Sequence, residues 1–286
     1  MKKDKTSLAF TKISKYDELQ KNLVEKAKNL HEHKGDNILY LCHYTSLKAA
    51  VSIIKTKRWY LGSPLNMNDG LELAHAGKEV WKKIFFASFM YEPQESIAMW
   101  SMYAQPWNDG VMIRIPVEMF KKWYKDGKCV ISTANPETKN TNLDDISNYS
   151  RLSFHAVAYT NAESKRPNEE EELLCGGQKN FILKKVISTP KLVGYIKDSA
   201  WSYENEYRLR VDIDDSISCS GLFLSIPDEI VNAIEITTGP RFKGNLYSEI
   251  KKEITKVFNE GRINNSIFKG KLNWVYCDSC SYVKMK

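Results

Sequence analysis

The stretch that most constrains this chain is Trp201–Val211, WSYENEYRLRV. Read as a β-strand, successive side chains point to opposite faces. Tyr203, Asn205, Tyr207, Leu209 and Val211 then share one face, which suits a core. Glu204, Glu206, Arg208 and Arg210 share the other, a row of two carboxylates and two guanidiniums. Such a row has two readings. It is a solvated wall whose same-side ion pairs each contribute under ~1 kcal/mol, or it lines a cleft in which one Glu does chemistry. The rest of the chain is read for partners to that row.

The chain has 286 residues, 42% hydrophobic and 12% aromatic, enough for a packed core. Lys and Arg number 42 against 35 Asp and Glu, a formal charge of +7. That excess permits a nucleic-acid or other anionic partner without requiring one. The charged start Met1-Lys2-Lys3-Asp4-Lys5 is not followed by an apolar core of signal-peptide length. No run approaches the ~18 apolar residues needed to cross a bilayer. A cytoplasmic protein with no membrane partner is expected. Of six cysteines, only Cys277 and Cys280 form a C-x-x-C. Neither a second pair nor a nearby His completes a zinc site, so no metal is expected.

Leu19, Leu23, Ala27 and Leu30 recur at helical spacing and predict an amphipathic helix over 16–31. Ile38–Cys42 reads as a buried strand that runs into His43-Tyr44-Thr45-Ser46. Ser46 or Thr45 then caps a helix with an apolar stripe of Leu47, Ala50, Val51 and Ile54. His43 therefore stands at the carboxyl end of a strand, a favoured place for ligand-binding groups. Asp69 and Glu72 are spaced as an N-cap and its N3 glutamate. Further strands are expected at 59–61, 85–91, 110–115, 153–160, 192–196, 221–226, 233–238 and 272–276. Helices are expected at 95–103, 116–125 and 245–260. Residues 181–188 fit either a helix or an extended segment, and the acidic run Glu169–Glu172 reads as a solvated helix end. The sum is an α+β fold with a mixed, mostly antiparallel sheet and helices drawn mainly from the N-terminal half. Residues 1–37 are taken as a helical segment, and 38–286 as a single domain with mobile inserts near 134–148 and 162–180.

Several of these signals fall into one order: His43-Tyr44-Thr45-Ser46, Asn68-Asp69-x-x-Glu72, Met99-Trp100-x-x-Tyr103-Ala104, Trp201-x-x-Glu204-x-Glu206-x-Arg208 and Gly239-Pro240-Arg241. The pattern, spanning about 38–242, resembles the bacterial family of unknown function DUF2971. That resemblance implies an association with phage defence. A looser resemblance is to the ADP-ribosyltransferase-like fold, in which a strand ends in His and Thr or Ser, an aromatic follows, and a later strand supplies a Glu. It implies NAD as substrate, with Glu206 and His43 as catalytic residues. Tyr44, Thr45, Trp100, Tyr103, Glu204 and Arg208 would be the binding residues. In such chemistry a carboxylate stabilises an oxocarbenium-like transition state. An imidazole hydrogen-bonds a ribose hydroxyl, an aromatic face stacks on nicotinamide, and Arg208 or Arg210 holds the pyrophosphate. Each residue also has a plainer reading: His43 as a satisfied structural histidine, Trp100 and Tyr103 as core, and Arg208 as an ion partner of Glu206.

Three functions follow. The preferred one is an NAD-consuming ADP-ribosyltransferase or NAD glycohydrolase acting on nucleic acid or protein in anti-phage defence, in the manner of abortive infection. The second is a metal-dependent nuclease built from Asp69, Glu72, Glu204 and Glu206. The third is a non-enzymatic module that senses a phage-derived trigger or scaffolds a defence complex, its Glu and Arg row serving as an ion network.

Overall fold

The computed structural model describes residues 5–67, 72, 78–91, 95–126, 129–134, 145–160, 171–175, 178–183, 192–245, 248, 262–270, 274–276 and 283–285. It is an α+β protein whose strands pair mostly antiparallel. The described helices fall mainly before residue 130, the chief exception being Asp228–Ala233. No described helix is long and apolar enough to cross a membrane. The chain forms two compact units, each assembled from separate stretches. One comprises Met1–Leu30, Tyr60–Phe89 and Val130–Leu224. The other comprises His31–Trp59, Met90–Cys129 and Ser225–Lys286.

In the first unit the helix Lys5–Lys28 packs on the strand Ser150–Ala156. Leu19, Leu23, Ala27 and Leu30 are all buried, as their spacing required. Ser150–Ala156 runs antiparallel to the strand Glu206–Ile213, with Arg208 opposite His155 and Arg210 opposite Ser153. The segment expected as one strand over 153–160 is broken at Val157. Ala158–Thr160 pairs instead with Glu171–Cys175 and, in parallel, with Ile196–Asp198. Glu171–Cys175 and Gln178–Leu183 form an antiparallel pair. Glu171 and Glu172 therefore lie in a strand rather than at the end of a helix, and 181–183 is extended. Leu192–Tyr195, expected as a strand, is a turn in which Gly194 has φ +80°. A Cβ at Gly194 would fall within the Phe86 ring. Gly194→Ala is accordingly expected to cost more than ~2 kcal/mol, from the left-handed backbone and the overpacking together. Urea unfolding of the variant checks this.

The second unit is built on Tyr40–Ser46, which pairs antiparallel with Gly110–Pro116 along its full length, Tyr40 opposite Pro116 and Ser46 opposite Gly110. Glu235–Thr238 lines the other edge of Gly110–Pro116, and Ile263–Asn265 adds a parallel strand. Ser46 caps the helix Leu47–Thr56 by accepting from the Ala49 N–H at 3.2 Å. That helix buries Ala50, Ile53 and Ile54. The helix Val117–Asp126 begins directly after Pro116 and buries Val117, Phe120 and Trp123. Asn68 and Asp69, most of the helix expected over 245–260, and the Cys277/Cys280 pair lie outside the described residues.

Candidate active site

The opening strand departs from its expected form at both ends. Ser199–Glu204 is a 3₁₀ turn, and the strand runs from Glu206 to Ile213. Asp198 starts the turn by accepting from the Ala200 N–H at 2.8 Å. Asn205 ends it in the left-handed region at φ 40°, a conformation that Asn adopts more readily than most residues. Glu204 thus reaches the charged row from the turn, not from the strand. The second departure is burial. Glu206, Arg208 and Arg210 are as buried as Tyr207, Leu209 and Val211 on the opposite face. The reading of a solvated wall is therefore corrected: this strand is covered on both sides.

Arg208, 1% exposed, is the centre of the arrangement. Its Nε donates to Glu206 Oε1 at 2.6 Å, and Nη2 donates to Glu206 Oε2 at 3.1 Å. Nη2 also donates to Glu72 Oε2 at 3.0 Å, and Nη1 to Glu72 Oε1 and the Gly194 carbonyl. All five guanidinium N–H groups are thereby used. The Phe86 ring lies 4.8 Å beneath the guanidinium. Glu206 Oε2 also faces the Lys197 ammonium at 3.3 Å, and Lys197 donates to Glu204 Oε2 at 2.5 Å. Among the described residues, three buried carboxylates and two buried cations thus share one cluster.

Burial opposes ionisation of Glu206. The Arg208 and Lys197 charges, with hydrogen bonds from Arg208 and Ser88, outweigh it and hold the carboxyl well below its usual range. Burial likewise opposes the Lys197 charge, but Glu206 and Glu204 keep its pKa raised. The Tyr159 hydroxyl accepts from the Glu206 N–H at 2.9 Å. Burial, reinforced by the Glu206 charge, pushes this phenol up, so it remains a neutral donor. At the rim, Trp201 is half-buried and Tyr203 is 37% exposed, their rings 6.2 Å apart. The Lys197 ammonium sits 4.9 Å from the Trp201 ring. Arg210, which the sequence offered as an alternative to Arg208, is bonded to Asp212 at 2.9 Å and to the Val193 carbonyl at 2.5 Å.

The other expected site residues belong to the second unit. His43, expected at a strand's carboxyl end, is instead the half-buried middle residue of Tyr40–Ser46, because the pairing with Gly110–Pro116 continues to Ser46; its ring is edge-on to Trp59 at 5.2 Å. Thr45 is half-buried beside it. Tyr44 is buried; its hydroxyl accepts from the Ser96 N–H at 3.1 Å, and its ring meets Trp100 edge-on at 4.8 Å. Trp100, 1% exposed, donates its indole N–H to Glu95 at 2.9 Å. Tyr103 packs on the same cluster, which includes Tyr40, Met99 and Met112. Tyr44, Trp100 and Tyr103 thus belong to one aromatic core against this strand.

Two members of the ion cluster have roles that the sequence does not assign. Glu72, spaced as a capping glutamate and grouped by the nuclease reading with Glu204 and Glu206, is buried against Arg208. Lys197 was passed over, although a Lys closing the apolar run Leu192–Ile196 has few ways to be there unless paired.

No curated protein matches the chain. Among solved structures, Thermosipho africanus DarTG in complex with ADP-ribose aligns at 12% identity with a TM-score of 0.29. The alignment covers 80% of this chain and 50% of that one, so the chain spans about half the length of that structure. The family pattern expected over about 38–242 is met over a shorter span, which holds Trp100, Tyr103, Glu204, Glu206 and Arg208 but begins well after His43. Residues 99–209 match the family model DUF2971, a protein family of unknown function.

Proposed function

We propose that the protein is an NAD-consuming glycosyl-transfer enzyme of the ADP-ribosyltransferase kind, acting in bacterial anti-phage defence, with Glu206 as its charged catalytic group. The observation that supports this reading is the buried cluster Glu72–Arg208–Glu206–Lys197–Glu204. Desolvating an ion costs several kcal/mol, so a buried ion network is a poor device for stability alone. A buried carboxylate whose ionisation is as strongly shifted as that of Glu206 is a functional-site candidate. Glu206 stays ionised throughout the physiological range, which is the form that stabilises positive charge developing at a ribose C1′.

In the proposed step the bond between C1′ and the nicotinamide nitrogen breaks, and its electron pair leaves with nicotinamide. An acceptor hydroxyl, amine or water attacks C1′ and releases a proton. Glu206 orients the ribose hydroxyls, and Glu204 with Lys197 fixes Glu206 in place. The half-exposed Trp201 and Tyr203 supply aromatic faces at the edge of the cluster. The expected result is nicotinamide release from NAD by the pure protein in the presence of water, nucleic acid or protein acceptors. Absence of release with every acceptor would overturn the reading.

One observation favours a second reading, a non-enzymatic module of a defence system. Arg208 has no unused N–H, and both Glu206 oxygens are engaged. A closed network of this kind also serves a purely structural role. If that is its role, a folded Glu206→Ala variant protects cells against phage as well as the wild type does.

A further inference from the structure

The second unit carries nearly all of the chain's excess positive charge. It holds 20 Lys and Arg against 14 Asp and Glu, which is six of the seven surplus charges. Part of that surplus gathers where three of its segments adjoin. The turn Gly239–Phe242 is tied to the loop before Gly110: the Gly239 N–H donates to the Gly110 carbonyl at 2.9 Å, and the Lys243 N–H to the Asn108 carbonyl at 3.2 Å. The Leu47 N–H, opening the helix Leu47–Thr56, donates to the Asp109 carbonyl at 2.9 Å. Buried Phe242 anchors the turn. Lys48, Trp107, Arg241 and Lys243 stand on these adjoining segments. Lys48, Arg241 and Lys243 are exposed and Trp107 is half-buried. The Arg241 guanidinium lies over the Trp107 ring, 4.7 Å from its centroid. Among the described residues, none of the three cations pairs with a carboxylate. Within 46–49, 105–110 and 239–244, Asp109 is the one carboxylate against those three cations.

We propose that this surface binds single-stranded nucleic acid. The Arg241 guanidinium has one face on the indole and the other towards solvent. The open face is a platform for an unstacked base, held flat by the ring beneath it. Lys243 and Lys48 supply charge to the flanking phosphates. Arginine suits the role because its planar cation both stacks and donates, which an ammonium does not. Resting on Trp107, it has already given up part of its freedom, so ordering it on binding costs less. A base inside a duplex offers no face to such a platform, which favours single strands. An acidic peptide would use the same charges but not the open guanidinium face. The turn Gly239-Pro240-Arg241 has no part in the proposed glycosyl transfer, and this binding stands apart from that chemistry.

The test is fluorescence anisotropy on the full chain, without NAD, using a labelled single-stranded oligonucleotide of about 12 nucleotides made as DNA and as RNA. The same sequence as a duplex, and polyglutamate, serve as competitors. At least one of the two single strands is expected to bind, with duplex and polyglutamate competing about tenfold more weakly or worse. Roughly three cationic contacts give a slope of about −2 for log affinity against log salt. Arg241→Ala is expected to weaken binding by about tenfold or more. Arg241→Lys is expected to lose most of the same affinity although it keeps the charge. Lys243→Gln is expected to reduce the salt slope by about 0.7. Both positions are exposed, so thermal unfolding is expected to stay unchanged. Glu206→Gln is expected to bind as the wild type does, which separates this surface from the ion cluster. Absence of binding to either strand, equal competition by duplex or polyglutamate, wild-type affinity in Arg241→Lys, or loss of binding in Glu206→Gln would each overturn the proposal.

Discussion

Replacing Arg208 by Met is expected to destabilise the protein by about 3–5 kcal/mol, the scale for removing one partner of a buried ion pair. Glu72 and Glu206 are 2% and 5% exposed, and both give two oxygens to this guanidinium. Without it, Glu206 keeps Lys197, and Glu72 loses the guanidinium that both of its oxygens face. Carboxylates in that position either protonate or drag water into the core, and both outcomes destabilise the fold. Arg208→Lys is expected to recover only part of the loss, because a point ammonium cannot make two bidentate contacts at once. Adding Glu72→Gln to Arg208→Met removes one of the two carboxylate charges that faced the guanidinium and should recover part of the loss as well, a coupling that a double-mutant cycle reads directly. Urea unfolding of the wild type, Arg208→Met, Arg208→Lys, Glu72→Gln and the double variant measures these effects. A loss below ~1 kcal/mol in Arg208→Met would mean that the cluster is not closed as described.

Acid is expected to weaken the fold through His155 before it reaches the carboxylates. His155 is 6% exposed, its ring 4.3 Å from Tyr195, and its Nδ1 is buried without a hydrogen-bond partner. Burial, with help from the Arg210 and Arg151 charges and against Asp212, lowers its pKa from 6.5 to about 4. The unfolded chain therefore binds a proton that the folded one refuses. Stability is fully present above pH 6.5 and falls as the pH drops towards 4. The loss from this one group reaches about 2.5 kcal/mol at pH 4.5. The Glu206 carboxyl, held well below its usual range, acts in a separate window: its contribution is lost only below the ordinary carboxyl pKa of 4.5. His155→Phe keeps a ring against Tyr195 and removes the titration. The difference in unfolding free energy between pH 7.5 and pH 4.5 should shrink by about 2 kcal/mol in the variant. An unchanged difference would show that His155 is protonated in the folded protein.

What the sequence made legible was local. Ser46 and the stripe behind it predicted the helix Leu47–Thr56, and Pro116 marked the start of the next one. The apolar spacing of Leu19, Leu23, Ala27 and Leu30 placed a helix whose buried face is the one observed. The alternation of Trp201–Val211 identified a strand, but it could not show that a turn takes over before Glu206. The αL residue Asn205 and the Asp198 cap make that change, and both are single side-chain events that a period-two pattern overlooks. Nor could alternation reveal burial of the charged face. A Glu-x-Arg-x-Arg row looks the same whether it meets water or meets Glu72 and Lys197, which lie 136 and 11 positions from Arg208 in the chain. Such partners are fixed by tertiary packing, for which local spacing carries no signal. The family match then covers the strand and the aromatic helix but not the His43 segment.

The central claim is that Glu206 does chemistry and is not merely a structural ion. Glu206→Gln separates the two roles, because it removes the carboxylate charge while keeping the side chain's size and one acceptor oxygen, leaving two carboxylates and two cations among the described residues of the cluster. The measurement is nicotinamide release from NAD by the wild type and by Glu206→Gln, made alongside urea unfolding of the same preparations. We predict release by the wild type, with at least a hundredfold loss in a variant whose stability falls by no more than about 2 kcal/mol. Release by both proteins at equal rates, or by neither, would contradict the account.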